Sequence, residues 1–107
     1  MSDITRVALD AMGGDHAPAE MVKGAIEAVR QRKDIKVLLT GQEELLRKTL
    51  SEYTYPTDQI EIVNATEVIE TAEPPVMAIR RKKDSSIVVA MNLVKRGEAD
   101  AFVSAGS

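Results

Sequence analysis

Cysteine is absent from the 107 residues, and so is tryptophan. The first absence excludes disulfides, thiolate metal sites and cysteine nucleophiles in one step. Aromatic residues make up only 3% of the chain, so its core must be aliphatic, and it offers no aromatic platform for stacking bases. With one histidine, a zinc site would need mostly carboxylate ligands, which is an unusual donor set for that metal. The opening "MSDITRVALD" holds no apolar run long enough for a secretory leader or a membrane span. A formal charge of −3 argues against general nucleic-acid binding. These exclusions leave a cytoplasmic protein as the expectation.

What remains is an ordinary globular composition, 44% apolar and 29% charged. A chain of this length should bury roughly 60–70% of its unfolded surface, enough for a modest core. It is one domain or part of one. Short apolar runs alternate with amphipathic stretches. "ITRVALDA" reads as a strand, and "PAEMVKGAIEAVRQRK" as a helix with Pro18 in its first turn. Val22, Ile26 and Val29 share one face of that helix, while Glu20, Lys23, Glu27 and Arg30 lie on others.

"IKVLLT" is a continuously apolar second strand. Thr40 with Glu43 fits a capping box for a helix over "QEELLRKTLSEY". "YPTDQ" is a turn before the strand "IEIVNA", and "TEVIETAEPP" is irregular. Pro74 and Pro75 are placed to open a helix through "VMAIRRKK". Ser85 or Ser86 can cap the next helix, "IVVAMNLVKRG", which Gly97 closes before a fourth strand in "DAFVSAGS".

Strands alternating with helices predict a parallel sheet covered by helices. Parallel strands are buried on both faces, which explains their solid Val/Ile/Leu runs. Because crossovers are right-handed, every strand points the same way. The segments "DAMGGDHAP", "TGQEE", "NATEV" and "SAGS" therefore leave the sheet at one edge, where open parallel sheets bind ligands.

Two of those segments suit an anion. Gly13 and Gly14 let backbone N–H groups approach a ligand closely, and the following helix aims its positive end at the same space. Each hydrogen bond to a charged oxygen is worth roughly 1.5–3 kcal/mol, so two or three hold a phosphate. A ligand-free strand-to-helix connection would have the same composition, since the turn is neither GxGxxG nor a P-loop. Asp15 suits a helix start, and Asp10 can orient a loop or a hydroxyl. His16 has the one side chain that ordinarily titrates near neutrality, and it can pass a proton to a leaving group. Ser104, Ala105 and Gly106 are placed to close the pocket from the opposite side. The run Arg80, Arg81, Lys82 and Lys83 concentrates positive charge, with all 17 acids elsewhere. Such a run is either a solvated helix end or an attractor of an acidic partner.

"VALDAMGGDHAP", "MVKGAIEAV" and "EPPVMAIRRKKDSSIVVAMNLVKRGEADAFVSAGS" closely resemble the amino-terminal part of the PlsX family of bacterial phosphate acyltransferases. The likeness runs over essentially the whole chain and is weakest in "QEELLRKTLSEYTYPTDQ". In that family the last motif continues with asparagine where this sequence has Ser107.

The resemblance implies a three-layer α/β/α fold with a mainly parallel sheet, similar to isopropylmalate dehydrogenases and phosphotransacetylases. Residues 1–107 would be the amino-terminal portion of one catalytic domain, cut after Ser107 and inactive by itself. It also implies transfer of a long-chain acyl group from acyl carrier protein to inorganic phosphate, for phospholipid synthesis. His16 and Asp10 would be the catalytic residues; Gly13, Gly14, Asp15, Ser104, Ala105 and Gly106 would hold phosphate. Arg80 to Lys83 would meet the acidic carrier protein. A cytoplasmic, membrane-peripheral homodimer with no cofactor or metal is expected. The remaining alternatives are a related phosphate acetyltransferase or dehydrogenase, and a non-catalytic anion-binding module.

Overall fold

The structure is a computed structural model that describes residues 4–12, 18–65 and 86–104. Four strands form a single parallel sheet: β1 (Thr5–Asp10), β2 (Ile35–Gly41), β3 (Ile60–Asn64) and β4 (Ala101–Ser104). Their spatial order is β3-β2-β1-β4. Three helices are described: α1 (Ala19–Gln31), α2 (Glu43–Leu50) and α3 (Ser86–Lys95). The three-layer α/β/α arrangement expected from the sequence is present in these residues.

Strand pleating divides the core in two. Leu9 of β1, Val37 and Leu39 of β2 and Ile60 of β3 face one side, packed on Val22, Ala25, Ile26 and Val29 of α1 and Leu46 and Leu50 of α2. The next residues along, Ala8 and Leu38, face the other side with Ala90 and Leu93 of α3 and Ala99. Alternation thus buries both faces of β1 and β2, and this is why they read as unbroken apolar runs. In α1 the expected buried face is observed, while Glu20, Lys23, Glu27 and Arg30 are exposed.

The handedness rule accounts for the division. Steps from β1 to β2 and from β2 to β3 run in one direction and put α1 and α2 on one face. The return to β4 runs the other way across β1 and puts α3 on the opposite face.

The ends of elements differ from the sequence expectation in instructive ways. Pro18 is the N-cap of α1, one place before the first turn, with its carbonyl accepting Val22 N–H at 2.9 Å. The helix stops at Gln31 instead of Lys33, because extended Arg32 and the Asp34 carbonyl, which accepts Thr5 N–H at 2.8 Å, already lead into β2. Helix α2 stops at Leu50, short of Tyr53.

The capping box is wrong. Thr40 belongs to β2 and its buried hydroxyl donates to Leu9 O at 3.3 Å; the N-cap is Gln42, which makes no side-chain cap bond. Asn64 takes that role from the end of β3, its Oδ1 accepting Glu43 N–H at 3.1 Å. By contrast, Gly97 closes α3 as expected. At φ 79° its N–H reaches Val94 O and Glu98 N–H reaches Leu93 O, the 5→2 and 6→1 bonds of a Schellman ending. The turn in "YPTDQ" is a 3₁₀ turn over Thr57–Gln59. The irregular "TEVIETAEPP", the helix through "VMAIRRKK" and a cap from Ser85 lie outside the described residues, as does the Ser86 side chain.

The placement of β4 depends on a clamp. Arg6 N–H donates to Asp100 Oδ2 at 2.8 Å, Asp100 N–H donates to Arg6 O at 2.7 Å, and the Arg6 guanidinium donates to Gly97 O at 2.8 Å. These bonds fix the entry of β4 beside β1. They also hold the Asp100 carboxyl below its ordinary 3.8, the Arg6 backbone N–H acting first and its guanidinium second.

Two outcomes are expected. Leu39 is wholly buried while Leu45 is 36% exposed. Leu39→Ala should therefore cost about 2–5 kcal/mol in denaturant unfolding, against about 0.5 kcal/mol or less for Leu45→Ala. Equal losses would contradict the packing described. Because the folded value for Asp100 is lowered, its contribution is present above 3.8 and disappears as pH falls through the folded value. Asp100→Asn should flatten the acid limb of stability below about pH 4, and an unchanged slope would remove the clamp from the linkage.

Candidate functional site

Strand order reverses at β1, with β2 and β3 on one side and β4 on the other. Chain segments leaving two such neighbours turn toward opposite faces, and a crevice opens between them at the carboxyl ends of the strands. Here the bounding strands are β1 and β4, and their last paired residues are Asp10 and Ser104. On the other flank Asp10 pairs with Thr40, and Gly41 pairs with Asn64. The carboxyl edge therefore presents Asn64, Gly41 and Thr40, Asp10 and Ser104 in order across the sheet.

Asp10 is 4% exposed. Its Oδ1 accepts the backbone N–H of Met12 at 3.1 Å, so one carboxylate oxygen of Asp10 is committed to the turn that follows it. This matches the loop-orienting use of Asp10 read from the sequence. Ser104 is placed by its backbone in register with Asp10. Gly13, Gly14, Asp15, His16, Ala105, Gly106 and the run Arg80 to Lys83 lie outside the described residues. What the structure brings together is the pair of strand ends from which two of these segments depart.

Three rim residues escaped the sequence reading. Asn64 anchors the start of α2, Thr40 ties β2 to Leu9 and Ala11, and Gly41 packs under Met12. A polar Asn and a Thr-Gly pair at the ends of apolar strands were the available signals, but each is also common turn chemistry.

Two hollows flank the sheet, one polar and one apolar. Beside β3, a depression of about 640 Å³ is lined by Gln42, Glu43, Glu44, Lys48 and Asn64. Glu43 and Glu44 already occupy the positive end of the α2 dipole, which disfavours an anion there. Beside the β1–β4 pair, an apolar trough of about 290 Å³ runs along Val7, Leu9, Met21, Gly24, Ala25 and Val103. Among the described residues no helix is long and apolar enough to cross a membrane.

Residues 5–107 match the family described as "Fatty acid synthesis protein". The chain is 59% identical over 102 residues to a protein named phosphate acyltransferase from Desulfitobacterium hafniense strain DCB-2. It is 52% identical over 102 residues to one from Clostridium beijerinckii and 54% identical over 101 residues to one from Clostridium kluyveri. These alignments take in 94–95% of this chain and 30–31% of the relatives, so the chain spans about a third of their length. A parallel sheet whose order reverses beside the "DAMGGDHAP" turn, and a match from the first strand to the last residue, place this chain in the fatty acid synthesis protein family of PlsX-type phosphate acyltransferases.

Proposed function

We propose that the chain is the amino-terminal part of an enzyme that transfers a long-chain acyl group from acyl carrier protein to inorganic phosphate. The product is an acyl phosphate for phospholipid synthesis. The observation that carries this reading is the pairing of Asp10 with Ser104 at the reversal of strand order. It puts the strand ends that lead into "MGGDHAP" and "AGS" side by side at the carboxyl edge, where open parallel sheets bind ligands, in a chain whose relatives bear the name phosphate acyltransferase.

The chemistry needs no covalent enzyme intermediate. A phosphate oxygen attacks the thioester carbonyl, a C–O bond forms, and the tetrahedral intermediate collapses with loss of the C–S bond. The thiolate of the carrier takes a proton as it leaves. The protein has to hold a dianion against the carbonyl and stabilise the developing oxyanion. In this reading the amides of Gly13, Gly14, Asp15, Ala105 and Gly106, with the Ser104 hydroxyl, cradle phosphate. His16 supplies the proton, and Asp10 lies beneath the turn. Arg80, Arg81, Lys82 and Lys83 attract the acidic carrier protein. The enzyme works as a homodimer at the cytoplasmic surface of the membrane.

In the full-length enzyme, His16→Ala should lower kcat for acyl phosphate formation by about 10²–10⁴-fold, with little change in KM for phosphate. Activity within twofold of the parent would take the proton-transfer role away from His16. Replacing Arg81 and Lys82 by glutamate should raise KM for acyl carrier protein and flatten its dependence on ionic strength. Binding that stays the same across a salt series would exclude the run from the carrier surface.

A further inference from the structure

We infer that Asp10 and Gly41 are positioning residues for the phosphate turn, acting together through Met12. The inference rests on the reading of that turn as a phosphate cradle, and it gives Asp10 a role other than proton transfer.

Two contacts fix Met12 from different sides. Its backbone N–H donates to Asp10 Oδ1 at 3.1 Å, two residues back along the chain. Its side chain lies over Gly41 on the neighbouring strand. A Cβ built at Gly41 would fall 2.8 Å from Met12 Cγ, nearer than real Cβ contacts come, and 3.1 Å from Met12 Sδ, so the methionine would have to shift. The same Cβ would lie 3.1 Å from Leu46 Cδ1, in the core under α2. Glycine at the end of β2 is thus the condition for Met12 to occupy that space.

Both anchors are themselves held in the sheet. Asp10 is in register with Thr40 on β2 and Ser104 on β4, and it is 4% exposed. The ladder continues past it through Ala11 N–H to Thr40 O at 2.9 Å. Gly41 is held from the other side, where its carbonyl accepts Ala65 N–H at 2.8 Å. Met12 is the last residue before Gly13. Fixing its backbone and its side chain sets the point and direction from which the chain enters the glycine turn.

A buried carboxylate is otherwise a poor neighbour for a phosphate dianion. Its bond to the Met12 N–H gives the acidic side chain a structural use there, because a charged acceptor makes a stronger hydrogen bond than a neutral one. It also accounts for the two features together, since losing either anchor frees the same residue. Misplacing a binding loop by about 1 Å can cost on the order of 100-fold in rate, so the expected effects are large although neither residue touches the reacting atoms.

The test uses the full-length enzyme with Asp10→Ala, Asp10→Asn, Gly41→Ala and the pair Gly41→Ala/Met12→Ala. Steady-state kinetics are measured in phosphate and in acyl carrier substrate, with hydrogen exchange of the peptide containing Met12. Asp10→Ala and Gly41→Ala should each raise KM for phosphate by about 10- to 100-fold, leave KM for the acyl donor within threefold, and speed exchange at Met12. Asp10→Asn keeps an acceptor oxygen, so it should stay within about fivefold of the parent and preserve the pH profile. Met12→Ala should recover part of the Gly41→Ala loss by removing the colliding side chain.

The inference is overturned if Asp10→Asn is as impaired as Asp10→Ala and loses a limb of the pH profile, which would mark proton transfer. It is also overturned if exchange at Met12 is unaltered in folded Asp10→Ala and Gly41→Ala. Should the parent enzyme form no acyl phosphate, the proposed function fails, while the exchange data still decide whether Asp10 and Gly41 hold Met12.

Discussion

The parallel pairing of β1 with β4 is the constraint on which the rest of this molecule depends. It places Asp10 beside Ser104 and so brings together at the carboxyl edge two strand ends that are distant in sequence. The pairing is kept in register at its opposite end, where Arg6 and Asp100 exchange backbone and side-chain hydrogen bonds around the Schellman ending of α3. A one-residue slip would turn every side chain of β4 to the other face. The clamp therefore governs a rim that lies a whole strand length away.

Right-handed crossovers then decide what each face looks like. The side under α1 and α2 is thick and built from Leu39, Ile26, Leu46 and Val22, all fully or almost fully buried. Among the described residues the α3 side is built around Ala8, Ala90 and Ala99 with Leu38 and Leu93. Among the described strands β4 pairs with β1 alone. Its Phe102 and Val103 stay 37% and 47% exposed, although they continue the alternation of Ala8 and Leu9 beside them. Among the described residues β1 has a strand on each side and β4 on one, and the apolar side chains of β4 are the more exposed.

At the rim, polar side chains serve mainly to hold backbone. Asn64 satisfies an N–H at the start of α2, Thr40 returns a hydrogen bond to β1, and Asp10 binds the N–H of Met12. Of these, Asp10 and Thr40 are buried, and a buried polar group of this kind is kept by having a partner. The consequence is a carboxyl edge whose backbone is tied by side-chain as well as ladder hydrogen bonds.

The strands, the buried face of α1, the stop at Gly97 and the parallel α/β class were all legible in the amino-acid sequence. They follow from short-range periodicity and from glycine at a positive φ. The common edge for the departing segments was legible too, because handedness makes it follow from strand and helix order alone. The cap of α2 was not. Thr40 and Glu43 have the right spacing for a capping box, but Thr40 was taken up by β2, and Asn64, 21 residues from the N–H it binds, replaced it. The role of Gly41 was equally hidden, since what requires a glycine there is a methionine from another strand end. Local pattern determined which elements form and which way they point. Only tertiary packing decided which strand neighbours which, and hence which side chains are free to act and which are spent holding the backbone, because those contacts join residues that the chain itself keeps far apart.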